Sequence, residues 1–355
     1  MTGSTKTSAG NFFEDFRLGQ EIRHAIPRTV TTGDVALYTG LTGNRFALPS
    51  SDGFARDLGL PQAPLDDLLV FHLVFGRTVP DISLNAIANL GYAQGLFGAP
   101  VYPGDTLAAT SRVIGLKENS NRQTGVVYVR SIGRNQRGAM VVDYVRWVLV
   151  RKRDPQSPAP AAVIPDLVAA LPPAALEVGG GLDLTRFDPA ITGSAHRWED
   201  YEAGERIDHV DGMTIEESCH MTATRLYQNN ARVHFNQHAE KDGRFGRRIV
   251  YGGHIISLAR ALSANGLGNA LKLLAINGGR HTNPSFAGDT IFAWSEVLAK
   301  AELPGLATAG ALRLRLVAAK NQPAAGFPDK GSDGNPDPAV VLDFDYWALL
   351  PRRGR

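Results

Sequence analysis

The chain contains one pattern of residues twice, and this repeat limits its architecture more than any other feature. Three segments of the first half recur in the same order in the second half, the first at an offset of 185 residues and the last at 200. A period of this length is too long for a solenoid, so it indicates a tandem duplication of one domain. The recurring pairs are 12–24 with 197–209, 101–115 with 285–299, and 139–153 with 339–353.

The repeat divides the chain into two predicted domains, residues 11–153 and 193–353, joined by a linker over residues 154–192. The first part of this linker, DPQSPAPAAVIPDLVAALPPAALEVGGG, is rich in Pro, Ala and Gly, which is typical of a semi-extended segment lying over the surface. GFPDKGSDGNPDPA at 326–339 accounts for most of the larger offset near the end. Its Gly, Pro and Asp content predicts a long hairpin loop.

Composition argues against several classes of protein. The 355 residues carry a net charge of only +2, with acidic and basic residues interspersed, unlike a nucleic-acid-binding protein. The single cysteine, Cys219, excludes an intrachain disulfide framework and is typical of a reducing compartment. No apolar leader is visible, and the longest apolar run, at 68–75, is too short to span a membrane. We therefore expect a cytoplasmic protein without nucleic-acid or membrane partners.

The pattern within each copy predicts a sheet wrapped around a helix. LDDLLVFHLVFGRTV at 65–79 is apolar on nearly every side, so this helix should be enclosed by other elements. GHIISLARALSANGL at 253–267 is its counterpart in the second copy. ALRLRLVAA at 311–319 alternates leucines with arginines, which predicts an antiparallel strand with one solvated face. Together these patterns predict the α+β class, with one hotdog domain in each copy and therefore a double hotdog.

Two segments of the second copy carry a family resemblance. LYQNNARVHFN at 226–236 places His234 five residues after Asn229, and IVYGGHIISLARAL at 249–262 opens the second central helix. This half resembles the MaoC-like, R-specific enoyl-CoA hydratases, whose motif has an Asp, a His five residues later, and then a His-Gly pair at the helix start. His234 falls on the motif histidine and Gly252 on the glycine. Asn229 replaces the aspartate, and Tyr251 replaces the second histidine.

Over its whole length the chain is most similar to the mesaconyl-CoA hydratases, also called β-methylmalyl-CoA dehydratases, a group with two copies per chain. The stretches that carry this similarity are NFFEDFRLGQ at 11–20, FGRTVPDISLNAIANLGY at 75–92 and RFGRRIVYGGHIISLAR at 244–260. The resemblance implies a hydro-lyase that reversibly hydrates an enoyl-CoA thioester, most specifically mesaconyl-CoA to β-methylmalyl-CoA. Coenzyme A is then part of the substrate, and we expect no separate cofactor and no metal.

The resemblance also implies roles for the motif residues. His234 would activate water, since its ordinary pKa lies near working pH. Backbone N–H groups at Gly252 and Gly253 would polarise the thioester oxygen, aided by the positive end of the helix dipole. An amide cannot exchange a proton, so Asn229 would orient water by hydrogen bonds. Either His234 carries all the proton transfer or another acid, such as Glu216 or Glu217, takes part.

Several arginines lie near these segments. Arg232, two residues before His234, or Arg280 would bind the free carboxylate of a mesaconyl group through two hydrogen bonds. An aspartate at position 229 would repel that carboxylate, whereas Asn229 does not. Within KDGRFGRR at 241–248, we predict that Arg244, Arg247 and Arg248 contact the CoA phosphates, although such a run also fits a solvated face.

The first copy lacks the central feature of the motif. At the offset of 185, Asn229 corresponds to Asn44, but His234 corresponds to Pro49. We therefore expect one active site per chain, with the first copy helping to form the acyl-CoA tunnel. Because hotdog domains often associate, the resemblance is also compatible with a homodimer of such chains. Three other functions stay open: hydration of plain enoyl-CoA chains, acyl-CoA thioester hydrolysis, and acyl binding without catalysis.

Overall fold

The computed structural model describes residues 6–353 of the chain. Its helices are α1 (Thr32–Thr42), α2 (Ala47–Ser50), α3 (Asp52–Asp57), α4 (Asp67–Ile82), α5 (Pro189–Thr192), α6 (Glu217–Leu226), α7 (Arg232–Phe235), α8 (Gln237–Glu240), α9 (Gly252–Leu262) and α10 (Ala264–Leu267). Its strands are β1 (Glu21–Arg23), β2 (Arg28–Thr29), β3 (Ala86–Phe97), β4 (Thr106–Glu118), β5 (Thr124–Arg134), β6 (Met140–Arg151), β7 (Arg206–Thr214), β8 (Lys272–His281), β9 (Thr290–Glu302), β10 (Ala309–Lys320) and β11 (Val340–Pro351).

The strands form one continuous antiparallel sheet, and the strand order from the outer edge to the centre is the same in both halves. From one edge the order is β1-β4-β5-β6-β3, followed by β8-β11-β10-β9-β7, and the short β2 pairs with β4. Each strand on this path therefore has a counterpart in the other half. Strands β3 and β8 join the halves, with Tyr92 opposite Gly279. This symmetric order confirms the predicted duplication and the α+β double hotdog.

The two long central helices lie against the inner face of this sheet and against each other. Helix α4 is buried along nearly its whole length, as predicted. It is close to the second copy, because a Cβ at Gly76 would lie 1.8 Å from the carbonyl oxygen of Tyr227. The side chains of His72 on α4 and Ser257 on α9 meet with Nε2 and Oγ 2.9 Å apart. These residues are 185 positions apart, so the contact joins equivalent points of the two copies.

Strand β10 shows the predicted alternation. The side chains of Leu312, Leu314 and Leu316 are buried in the core. Arg313 and Arg315 lie on the opposite face, where they form ion pairs with carboxylates of β11 and of the loop between β10 and β11. The segment 326–339 lies within the connection between β10 and β11, as predicted for a hairpin loop.

One local prediction differs from the structure. The second central helix ends at Leu262 rather than continuing to 267, because Asn265 and Gly266 have non-helical backbone angles. The segment joining the copies is mostly exposed or half-buried, and its buried side chains are Leu176, Leu182, Leu184 and Phe187. These four join a cluster that includes Leu274 and Trp347, and Trp347 Nε1 donates a hydrogen bond to the Leu171 carbonyl at 3.1 Å. No helix within residues 6–353 is long and apolar enough to cross a membrane.

Candidate active site

A cavity of about 600 Å³ lies where the two copies meet. Residues that follow α4 and residues of β3 and β6 line one side, and the segments 229–234 and 249–252 line the other. The cavity therefore contains the second copy's motif but is completed by the first copy. Its polar lining includes Ser83, Tyr92 and Arg146 of the first copy and Asn229, His234, Tyr251 and His281 of the second.

His234 is held in one orientation by the backbone. It lies on the short helix α7, and its Nδ1 is 3.0 Å from the Ile249 carbonyl oxygen. Because a carbonyl can only accept, Nδ1 donates, and Nε2 keeps its lone pair. Burial lowers the pKa of His234 to about 4, although the hydrogen bond to Ile249 opposes this shift. The imidazole is therefore neutral near pH 7 and can accept a proton.

Asn229 lies in the same cavity with its side chain partly engaged. The residue is only 3% exposed and follows Gln228, which takes a left-handed backbone conformation after α6. The Asn229 side-chain oxygen accepts a hydrogen bond from the Ala231 N–H at 3.2 Å. Among residues 6–353, no hydrogen-bond acceptor is found for its Nδ2 group, which leaves two N–H donors for a ligand or water.

The start of α9 requires glycine at two successive positions. A Cβ at Gly252 would lie 2.4 Å from the ring of His281, and a Cβ at Gly253 would lie 2.4 Å from the ring of Tyr251. The first turn of a helix leaves backbone N–H groups without intrahelical acceptors, and the helix dipole adds partial positive charge there. Gly252 lines the cavity, so this helix start can receive an oxygen that gains negative charge.

His281 and Tyr92 belong to the cavity and were not predicted from the sequence. They stand on β8 and β3, the strands that join the copies, with the Tyr92 hydroxyl 3.3 Å from His281 Nε2. Burial lowers the pKa of His281 to about 4, and the nearby His234 lowers it further. His281 lies beside Arg280, and successive residues of a strand point to opposite faces. This alternation places the two side chains on opposite faces, but it does not tell from the sequence which of them faces the cavity.

The predicted arginines occupy three different environments. Arg232 lines the cavity on its exposed side, and its Nη1 donates to the Asn85 side-chain oxygen at 3.3 Å. Arg244 also lines the cavity and is exposed. Arg280 lies outside the cavity lining, 60% exposed and 4.0 Å from Asp343.

Two further predicted cations already have partners. Arg247 stacks over the ring of Phe286 at 3.9 Å, and Arg248 forms an ion pair with Glu217. Neither arginine is part of the cavity lining. Glu216 and Glu217 are both exposed at the start of α6, and neither carboxylate lines the cavity. The structure thus does not bring these acids to His234.

The equivalent place in the first copy is closed. At the offset of 185, Asp66 corresponds to Tyr251, and its carboxylate accepts hydrogen bonds from the Leu68 N–H at 2.9 Å and from Asn44 at 2.7 Å. The start of α4 is therefore capped by the chain's own carboxylate. The space there is about 30 Å³, and the linker residues Gly179 and Leu182 help to cover it. This space is far smaller than the cavity of about 600 Å³ that contains His234.

Comparisons of sequence identify close relatives over the whole chain. The family model for mesaconyl-CoA hydratase matches residues 3–327. The β-methylmalyl-CoA dehydratase of Chloroflexus aurantiacus is 66% identical over 351 residues, which is 99% of this chain and 100% of the relative. The mesaconyl-CoA hydratase of Cereibacter sphaeroides is 59% identical over 349 residues, covering 98% of this chain and 100% of the relative.

Solved structures agree with these relatives. A MaoC domain protein dehydratase from Chloroflexus aurantiacus has a TM-score of 0.97 at 66% identity, covering 99% of this chain and 100% of that one. A Mycobacterium tuberculosis protein with a double hotdog fold has a TM-score of 0.74 at 25% identity, covering 97% of this chain and 99% of that one. The chain is therefore a MaoC-like double hotdog enzyme, and it belongs to the mesaconyl-CoA hydratase family of hydro-lyases.

Proposed function

We propose that this enzyme reversibly hydrates mesaconyl-CoA to β-methylmalyl-CoA at the cavity between the two copies. The observation that carries this proposal is the pairing of a neutral histidine, His234, with a glycine helix start at Gly252 in one cavity. Hydration of a conjugated thioester needs a base for water and a donor for the thioester oxygen. Names of relatives that share about two thirds of the sequence support the choice of acyl group.

His234 acts as the base in this proposal. Its Nε2 takes a proton from water as the water oxygen bonds to the β-carbon. The π electrons of the carbon–carbon double bond then move toward the thioester carbonyl and form an enolate. The N–H groups at Gly252 and Gly253 stabilise the enolate oxygen that results. His234, now protonated, supplies the proton that the α-carbon receives, so one water is added and the enzyme returns to its starting state. Asn229 positions the water through its Nδ2 group.

The CoA moiety enters from the exposed side of the cavity. Arg244 lines this side, and we propose that it contacts the CoA phosphates. Arg247 and Arg248 would join it only by leaving Phe286 and Glu217, so they are secondary candidates. Because Arg280 is exposed and near Asp343, we leave it out of the proposed substrate site.

Absorbance of the enoyl-thioester band, followed together with free thiol, tests the reaction class. With mesaconyl-CoA we expect the enoyl absorbance to fall without thiol release, and more slowly with crotonyl-CoA, which has no free carboxylate. Thiol release would instead identify a thioesterase. Faster loss with crotonyl-CoA would identify a hydratase for plain acyl chains, and no change with either would identify an acyl-binding protein.

A further inference from the structure

Arg146 is a buried arginine in the cavity that no sequence motif predicted. It lies on β6 of the first copy, is 0% exposed, and belongs to the cavity lining. Its counterpart in the recurring segments of the second copy is Tyr346, so the cation is present in one copy only. The copy that lacks the motif histidine thus contributes a charged group to the shared cavity.

The neighbours of Arg146 hold its guanidinium without neutralising it. Nη2 donates to the Thr78 hydroxyl at 2.8 Å, and both Nη groups lie within 3.4 Å of the Ser83 hydroxyl. The guanidinium also lies over the ring of Phe75 at 4.1 Å. Its Nε is buried without a hydrogen-bond partner, and no carboxylate of residues 6–353 lies within 4.0 Å. A guanidinium stays charged in proteins, so this arrangement leaves a buried cation unpaired.

The strand arginines on the outer face of the sheet show the contrast. Arg130 pairs with Asp143, and Arg313 pairs with Asp345. Arg260 on α9 is buried like Arg146 and also stacks on an aromatic ring, that of Phe46. However, Arg260 lines the closed space of about 30 Å³ in the first copy and not the large cavity. Among these four arginines, only Arg146 combines burial, a missing counter-ion and contact with the open cavity.

Two aromatic rings, those of Phe75 and Tyr251, lie between Arg146 and His234. The ring of Phe75, on which it stacks, is 5.6 Å from the ring of Tyr251, and that ring is 5.5 Å from His234. Arg146 and His234 are thus linked by ring contacts through Phe75 and Tyr251, and all four residues line the same cavity. In mesaconyl-CoA the free carboxylate is attached to the β-carbon, the atom that water attacks.

We propose that Arg146 binds the free carboxylate of the acyl group and makes this site selective for carboxylated enoyl-CoA substrates. The inference rests on the proposed hydratase function. Within the described part of the chain, Nη1 donates only to the Ser83 hydroxyl and keeps a second N–H that can donate to a carboxylate oxygen. A cation there also offsets the negative charge that would otherwise oppose attack of water at the neighbouring carbon. Arg232, which is exposed and bonded to Asn85, is then not required for this role.

The test compares Arg146→Met and Arg146→Lys with Arg260→Met, a buried arginine outside the cavity. We expect Arg146→Met to lower kcat/KM for mesaconyl-CoA about 100-fold more than for crotonyl-CoA, mainly through KM, and Arg146→Lys to recover part of the loss. Arg260→Met should change kcat/KM for mesaconyl-CoA and for crotonyl-CoA by the same factor. Equal losses on both substrates in Arg146→Met would show a purely structural role and overturn the proposal.

Inhibition by unreactive analogues separates this inference from the reaction itself. We expect the inhibition constant of methylsuccinyl-CoA to rise at least about tenfold more than that of butyryl-CoA in Arg146→Met. A wild-type enzyme that does not hydrate mesaconyl-CoA would refute the proposed function, whereas equal shifts for the two analogues would refute the role of Arg146. If both Arg146 variants fail to fold, Thr78→Val and Ser83→Ala should still weaken the binding of methylsuccinyl-CoA more than that of butyryl-CoA. Equal weakening of both would overturn the proposal.

Discussion

His234 donates its Nδ1 hydrogen to the Ile249 carbonyl at 3.0 Å, which leaves Nε2 as the only ring nitrogen able to accept a proton. We predict that His234→Gln lowers kcat for mesaconyl-CoA by about 10²–10⁴-fold. His238→Gln, which changes an exposed histidine four residues later, should leave kcat within about twofold. Steady-state kinetics of the two purified variants give this comparison. Comparable activity of His234→Gln and wild type would exclude His234 as the base.

The pKa of His234 should also determine how turnover falls at low pH. Burial lowers the pKa of His234 to about 4, so its basic form is present at any pH well above that value. We expect turnover to be nearly constant between pH 6 and 8 and to fall as the pH decreases toward about 4. A rate that falls near pH 6.5, the ordinary value for histidine, would show that the imidazole is not shielded as the structure indicates.

Buried histidines also predict how stability changes with pH. Burial lowers the pKa of His209 and of His254 to about 4, and both side chains are almost fully inaccessible. Between about pH 4 and 6.5 the unfolded chain therefore binds more protons at these sites, so stability increases with pH across this window. The two histidines together should account for a loss of roughly 5 kcal/mol on acidification. Urea denaturation at pH 7 and pH 4.5 measures the loss, and His209→Gln and His254→Gln should each reduce it.

Equivalent helix starts in the two copies should respond differently to substitution. Gly252→Ala places a Cβ 2.4 Å from the ring of His281 at the proposed thioester site. We expect it to lower kcat about 10²–10³-fold. Asp66→Ala removes the carboxylate that caps α4 in the closed copy, which should cost about 1–3 kcal/mol of stability but leave kcat within about twofold.

Steady-state kinetics and thermal melting of this pair measure the division of roles. Titration calorimetry with methylsuccinyl-CoA should find one binding site per chain in the wild type. Two sites per chain, or a large loss of turnover in Asp66→Ala, would contradict a single active site.

Restoring a carboxylate at position 229 tests the reason for the amide. We predict that Asn229→Asp shifts the ratio of kcat/KM about tenfold toward crotonyl-CoA, because an aspartate repels the carboxylate of the mesaconyl group. Asn229→Ala is the control, since it removes the water-orienting group without adding charge. It should lower kcat/KM for the two substrates by the same factor. If Asn229→Asp changed kcat/KM for the two substrates by the same factor, charge repulsion would not explain the asparagine.

The sequence reasoning assigned His234, Gly252 and Gly253 because they match the motif of the MaoC-like hydratases. The structure brings His234 and Gly252 to the lining of one cavity, although 17 residues lie between them. The duplication was equally visible, because matching segments keep their order. The fold class followed from the enclosed helix at 65–79 and the alternating strand at 311–319.

The contributions of strands from different copies were not predictable in this way. Tyr92 and His281 meet only because β3 and β8 join the two halves of the sheet, and Arg146 faces the cavity only through the packing of β6 on α4. None of these positions follows a spacing that can be read along the chain. Arg280, a sequence candidate for binding the substrate carboxylate, lies outside the cavity lining, while its neighbour His281 lies in it, because adjacent side chains of a strand point to opposite faces.

A competition between substrates tests the central claim most directly. Wild-type enzyme is incubated with equal amounts of mesaconyl-CoA and crotonyl-CoA, and the thioesters are followed by mass spectrometry. We predict that mesaconyl-CoA gains the mass of one water at least about tenfold faster than crotonyl-CoA, with no free CoA formed. Preferential conversion of crotonyl-CoA, or release of free CoA, would contradict a hydratase selective for the carboxylated substrate.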